Sequence, residues 1–257
     1  MSAAPIAHLA KAVAGSDGWH LQPLAFFQSW SGVLTLAMRE LPPPADRAKA
    51  SLAAAAAALP PASPPASPSP SPPSSSSPYT LPPEFPGSLW PKITLAAGEA
   101  ETSPVSVADV ARMVELSADF RADLAKCPPL PISTLALVHF QSRSLEKLAA
   151  RVDAPLAAPP ADPPAGGEPS PLVARVLGEW DDVETYHGRV VRSGNRATHY
   201  RDAAHGATCV TFLADCGPAA TDLLAAVRAF REAVDREWPG RYCWMPESSL
   251  HITLRGL

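Results

Sequence analysis

Apolar and polar positions are patterned most clearly toward the end of the chain. Residues 207–214 (ATCVTFLA) are rich in β-branched and aromatic side chains and read as a strand. Gly217-Pro218 then opens a stretch in which Leu223, Val227, Phe230 and Val234 recur at three- and four-residue spacing, predicting an amphipathic helix that Trp238-Pro239-Gly240 stops. A second β-rich run at 241–245 and a short strand at 250–255 follow. The N-terminal part has a comparable rhythm, with β-like runs at 24–30 and 33–38 and an alanine-rich helix over about 46–59. Beyond them come a strand at 90–95 and a helix over about 106–124, capped by Ser106 with Asp109 and carrying Val110, Met113, Val114, Phe120 and Leu124 on one face. A strand at 132–140 and a closing helix over 144–152 complete the second unit. The order of elements predicts an α+β protein.

Composition divides the chain. It has 32 prolines in 257 residues, about one in eight against a usual share near 5%. Twelve of the prolines fall between Pro60 and Pro86 and seven between Pro155 and Pro171. Proline lacks the amide hydrogen that ladders and helices need, so both tracts are expected to be extended and solvated. The first, 60–86, reads as a disordered Ser/Pro-rich insertion, and 154–172 as a linker between a part at 1–153 and a part at 173–257. With 46% hydrophobic and 18% charged residues, the remainder is expected to bury a core. A net charge of −4 leaves no overall positive field for duplex DNA or an anionic membrane. No apolar run approaches the roughly 20 residues of a membrane span, and the N-terminus is a poor secretory or transit signal. Cys127, Cys209, Cys216 and Cys243 form no C-x-x-C pair, so reduced thiols in an intracellular, cytoplasmic protein are expected.

Chemistry concentrates in the run Trp244-Met245-Pro246-Glu247-Ser248-Ser249-Leu250-His251-Ile252-Thr253-Leu254-Arg255. In a strand, His251 and Thr253 face one side while Ile252 and Leu254 pack on the other. An imidazole that moves a proton near neutral pH, beside a hydroxyl that hydrogen-bonds an oxyanion, suits phosphate chemistry. An edge-strand histidine with no chemical task fits the same triplet, because among seven histidines about one H-x-S/T match arises by chance.

The run W-x-P-E-x-x-L-H-I-T-L-R, preceded by a strand and an amphipathic helix, resembles the first half of the 2H phosphoesterases, the LigT-like or 2′-5′ RNA ligase-like superfamily. The resemblance covers about residues 173–257. Upstream, Leu89-Trp90-Pro91-Lys92-Ile93-Thr94-Leu95-Ala96 resembles the second-half motif, with lysine at the histidine position. The two halves then occur in reversed order, as in a circular permutation joined through 154–172, a piece spanning two tandem domains, or a chance likeness of the N-terminal part. The resemblance implies a two-lobed α+β fold with antiparallel sheets and flanking helices around a central cleft. It also implies metal-free, cofactor-free hydrolysis or transfer at a cyclic or 2′-5′ phosphodiester of RNA or a nucleotide. Its catalytic roles map onto His251, Thr253, Lys92 and Thr94. Arg255, Trp244 and Trp90 map onto substrate binding, with a small nucleotide or RNA terminus as partner. A free lysine has a pKa near 10.4, too high for proton shuttling at pH 7 unless burial lowers it. A 2H-like nucleotide- or RNA-binding module without catalysis is therefore the alternative. Thr253 lies four residues before the last of the sequence, leaving little backbone to hold its strand in register.

Other residues carry weaker signals. Arg189, Arg192, Arg196 and Arg201 either guide an RNA backbone or decorate a solvated hairpin. His187, His199, His205 and Cys209 lack metal-ligand spacing, and no metal site is expected.

Overall fold

A computed structural model describes residues 3–29, 32–59, 81–84, 89–99, 105–160, 167–193 and 195–257. Ten strands and eight α-helices are found among them. The first part holds α1 (Ala3–Val13), β1 (Trp19–Leu21), β2 (Pro23–Gln28), β3 (Leu34–Met38), α2 (Pro43–Ala57) and β4 (Lys92–Gly98). It continues through α3 (Val107–Asp119), α4 (Arg121–Lys126), β5 (Leu130–Ile132), β6 (Thr134–Phe140) and β7 (Leu148–Pro155). The second part holds α5 (Pro171–Leu177), α6 (Val183–Ser193), α7 (Ala197–Arg201), β8 (Gly206–Phe212), α8 (Ala219–Glu237), β9 (Tyr242–Trp244) and β10 (His251–Gly256). The chain is thus α+β with antiparallel sheets and flanking helices.

One eight-stranded sheet unites both parts. Its order is β2-β3-β4-β10-β8-β6-β7, with β9 pairing the far end of β4, while β1 and β5 form a separate pair. Every strand pairing is antiparallel. The sheet is interleaved: β8 and β10 from the second part lie between β4 and β6 from the first. β10 is held on both sides, by β4 and β8, and the Leu257 amide donates to the Ala207 carbonyl at 2.9 Å. The expected weak hold on this strand is therefore not what the fold provides.

The spacing of apolar residues on α8 explains how one face of the sheet is sealed. Leu223, Val227, Phe230 and Val234 are buried on it, and Phe230 stacks on Phe26 of β2 with ring centroids 4.0 Å apart. Phe120, at the junction of α3 and α4, meets both rings edge-on at 5.8 and 5.5 Å. In the ladder, Phe26 shares its row with Leu36, Ile93 and Ile252, so α8 lies on the face that Ile93 and Ile252 present.

Four expectations are corrected. The helix expected over 144–152 is a tight connection followed by β7, which pairs with β6 from Thr134↔Pro155 to Phe140↔Leu148. Its residues are good helix formers, but ladder hydrogen bonds and burial of Ala154 outweigh local propensity. Within 188–201, where a hairpin is expected, residues 188–193 belong to α6 and residues 197–201 form α7. The linker is shorter than 154–172: β7 runs through Pro155, and the Leu156 and Ala157 amides donate to Ser133 and Ser16, both at 2.9 Å. Most of the 60–86 insertion lies outside the described residues, but 81–84 is packed, with Leu81 buried and Glu84 2.9 Å from the Lys49 ammonium. Among the described residues no helix is long and apolar enough to cross a membrane.

Candidate active site

The two motifs expected from the sequence meet at the centre of the sheet. Ile252 of β10 pairs antiparallel with Ile93 of β4. Continued by one residue each way, that register sets His251 against Thr94 and Thr253 against Lys92. The alternation of each strand completes the picture: Ile93, Leu95, Ile252 and Leu254 are buried, while Lys92, Thr94, His251 and Thr253 are half-buried. These four share the face opposite α8. Two rows cross this face, Thr35-Thr94-His251-Phe212 and Ala37-Lys92-Thr253-Val210. Within the four, imidazole and ammonium stand on one diagonal and the two hydroxyls on the other. Such diagonal neighbours in a sheet are about 7–8 Å apart.

His251 is oriented by its own strand entry. Its Nδ1 lies 2.7 Å from the Ser249 carbonyl. A carbonyl only accepts, so Nδ1 carries the hydrogen and Nε2 is left with a lone pair. Burial holds the imidazole below its ordinary value, with the Ser249 hydrogen bond opposing. The group is a neutral base at pH 7. On the other side of the ring row, Phe212 lies 6.1 Å away, centroid to centroid.

Lys92 occupies a different environment. Burial lowers its pKa from 10.5 to about 8, which leaves it about ten to one protonated at pH 7. Its Nζ stands 4.3 Å from the centroid of the Trp90 ring. The two cationizable groups are therefore set apart, one neutral and one charged at the same pH. Pairs with environments of that kind are the usual means of obtaining an acid and a base together.

The three residues expected to bind substrate are engaged otherwise. Trp90 is 6% exposed and packed in the core, so its ring supports Lys92 rather than offering a surface to a base. Trp244 pairs with Ala96 beyond the motif and donates from Nε1 to Asp235 of α8 at 2.8 Å. Arg255 donates to the Pro82 carbonyl at 2.7 Å and lies 3.8 Å from Glu84. Among the secondary candidates, Arg201 of α7 is tied to Glu146 at 3.2 Å and to the Trp244 carbonyl at 3.0 Å. His187 is bonded to the Val105 carbonyl at 2.6 Å. Among the described residues no cluster of three or more His, Cys, Asp or Glu is placed to hold a metal ion. Sequence reasoning missed the Ser249 carbonyl and the Trp90–Lys92 contact. Both lie two residues before a motif head, Ser249 in the short helical turn that precedes β10 and Trp90 just before β4.

Comparison with family models, with curated proteins and with solved structures finds no match to the chain.

Proposed function

We propose that the chain is a metal-free phosphodiesterase of the 2H type, acting on a cyclic or 2′-5′ phosphodiester of RNA or a nucleotide. The observation that carries this reading is the Ile93↔Ile252 register, which sets the H-x-T and K-x-T triplets on one face of adjacent central strands. The resemblance of the two motifs requires such a meeting, and strands so far apart in the chain have no local reason to pair.

With a 2′,3′-cyclic phosphate as substrate, the His251 Nε2 lone pair takes a proton from water as the water oxygen bonds to phosphorus. The bond from phosphorus to one ribose oxygen breaks, and that oxygen takes a proton from the Lys92 ammonium. The Thr94 and Thr253 hydroxyls hydrogen-bond the nonbridging oxygens, where negative charge grows in the transition state. The products are a nucleoside monophosphate, an imidazolium and a neutral amine, and solvent restores the last two.

The test is turnover of a 2′,3′-cyclic nucleotide by the purified chain, by His251→Ala and by Thr94→Val. His251→Ala is expected to lower kcat at least 100-fold and Thr94→Val about 10- to 1000-fold with little change in KM. Equal turnover in all three proteins sinks the reading. Binding of the nucleotide without turnover in any of them replaces it with a binding module.

A further inference from the structure

We propose that β7 is a self-complementary edge through which two copies of the chain join, pairing antiparallel about Val152 to make one continuous sheet. It stands apart from the phosphodiesterase reading and needs no turnover to be tested.

The two edges of the sheet differ. β2 opens with a proline, carries a bulge between Pro23 and Ala25, and is buried at every residue but Leu24, with α3 and α4 packed against it. β7 is paired on one side only, and among the described residues no strand or bridge meets its outer side. The register tells which of its groups point outward. The Leu156 amide donates to the Ser133 carbonyl at 2.9 Å, one step beyond Thr134↔Pro155 and Leu135↔Ala154. Ala150, Val152 and Ala154 therefore turn their backbone toward β6, while Arg151 and Asp153 turn amide and carbonyl outward. Pro155, which has no amide, falls at an outward position, where the β6 ladder loses nothing. A register shift at Ala149 ends the regular stretch.

The side chains select the partner. Arg151 and Asp153 are exposed on the face that carries Phe212, whose ring centroid lies 4.7 Å from the Arg151 guanidinium. Self-pairing within the stretch can set Arg151 opposite Arg151, Asp153 opposite Asp153, or Arg151 opposite Asp153. The first two oppose like charges. The third opposes unlike charges twice by symmetry, and on the other face it sets Val152 against Val152 and Ala150 against Ala154. Val152 is only half-buried on the core of its own chain, so its remaining surface is covered at the two-fold axis. Arg151 holds its own Asp153 through Nε and Asp215 through Nη2, both at 2.7 Å. Among the described residues these bonds do not use Nη1 of the arginine or Oδ2 of Asp153, and those atoms face the partner. The Arg151 amide donates to the partner's Asp153 carbonyl, and the Asp153 amide to the partner's Arg151 carbonyl. An arginine alone would guard such an edge; alternating with an aspartate, it suits an antiparallel copy. Opposed residues share a face, so both candidate sites open on the same side of the joined sheet.

The experiment is sedimentation velocity of the full chain from about 1 to 500 µM, a range suited to a small interface. Wild type is expected to move from monomer toward dimer across it. Arg151→Asp and Asp153→Arg, each alone, oppose like charges and are expected to remain monomeric. Mixed one to one, they restore both unlike pairs and are expected to dimerise. Amide hydrogen exchange in a peptide spanning 148–156 is expected to slow with concentration in wild type. Circular dichroism confirms that each variant is folded, and the wild-type exchange carries the test if one is not. Wild type that stays monomeric, a dimer that persists in both single variants, or a mixture that stays monomeric overturns the proposal. So does full protection of the Arg151 and Asp153 amides in the most dilute sample, which would mean that the edge is covered within one chain.

Discussion

Replacing Lys92 by methionine is expected to make the protein more stable at neutral pH while destroying its site. The folded chain carries Lys92 with a pKa of about 8 against 10.5 for the free group. The difference of about 2.5, at 1.36 kcal/mol per pKa unit, amounts to about 3 kcal/mol. Below pH 8 the lysine is protonated in both states, so the folded form bears the whole cost of a desolvated charge. Between about pH 8 and 10.5 the unfolded chain binds a proton that the folded chain does not, so stability rises with pH through that window. Methionine has a similar length and no charge to desolvate. Lys92→Met should therefore gain up to about 3 kcal/mol at pH 7, and the gap should close by pH 10.5. Urea unfolding followed by circular dichroism at pH 7 and pH 10.5 reads both quantities, provided the slope with denaturant is unchanged. Equal midpoints at pH 7, or a gap that persists undiminished at pH 10.5, would refute the reasoning.

Other substitutions probe the frame around the site. Phe230→Ala removes the ring stacked on Phe26 at 4.0 Å and is expected to cost about 3–5 kcal/mol in urea unfolding. Asp109 accepts from the Ser106 amide at 2.9 Å and from Trp238 Nε1 at 2.8 Å. Burial raises its pKa, but these hydrogen bonds and Arg241 outweigh burial and leave it below the ordinary value. Asp109→Asn should cost about 1–2 kcal/mol at pH 7, a loss that disappears as wild type is acidified through the depressed value. Glu84→Gln loosens the contacts to Lys49 at 2.9 Å and Arg255 at 3.8 Å, with an expected cost of about 1 kcal/mol by thermal unfolding.

Local pattern and long-range pairing were legible to different degrees. The alternation His251-Ile252-Thr253-Leu254 and the recurrence of Leu223, Val227, Phe230 and Val234 are direct images of β10 and α8, because each element buries one face. The likeness of the Lys92 and His251 runs pointed to one site, yet the Ile93↔Ile252 pairing could not be read from either segment. Pairing across so long a separation depends on the whole core. Residues 144–152 misled because Leu, Glu, Lys, Ala and Arg favour helix, while β6 offers a complete ladder to pair with. The arginines at 189, 192, 196 and 201 suited a solvated hairpin equally well, although Arg189 lies in α6 and Arg201 in α7. Arg255 lies in β10, Trp244 in β9 and Trp90 just before β4. Their partners, Pro82, Asp235 and the Lys92 ammonium, are matters of packing that spacing does not encode.

The central claim is that His251 works as the neutral base and Lys92 as the charged acid. The pH dependence of kcat/KM on a 2′,3′-cyclic nucleotide tests it most directly, in wild type beside Lys92→His. The account predicts a rising limb below pH 6.5, set by His251, and a falling limb near pH 8, set by Lys92. Lys92→His should keep the rising limb and draw the falling limb down by at least one pH unit, since imidazole ordinarily titrates near 6.5. A falling limb that stays at pH 8 in Lys92→His would contradict the assignment of the acid, and a wild-type profile flat from pH 5 to 9 would contradict the pair.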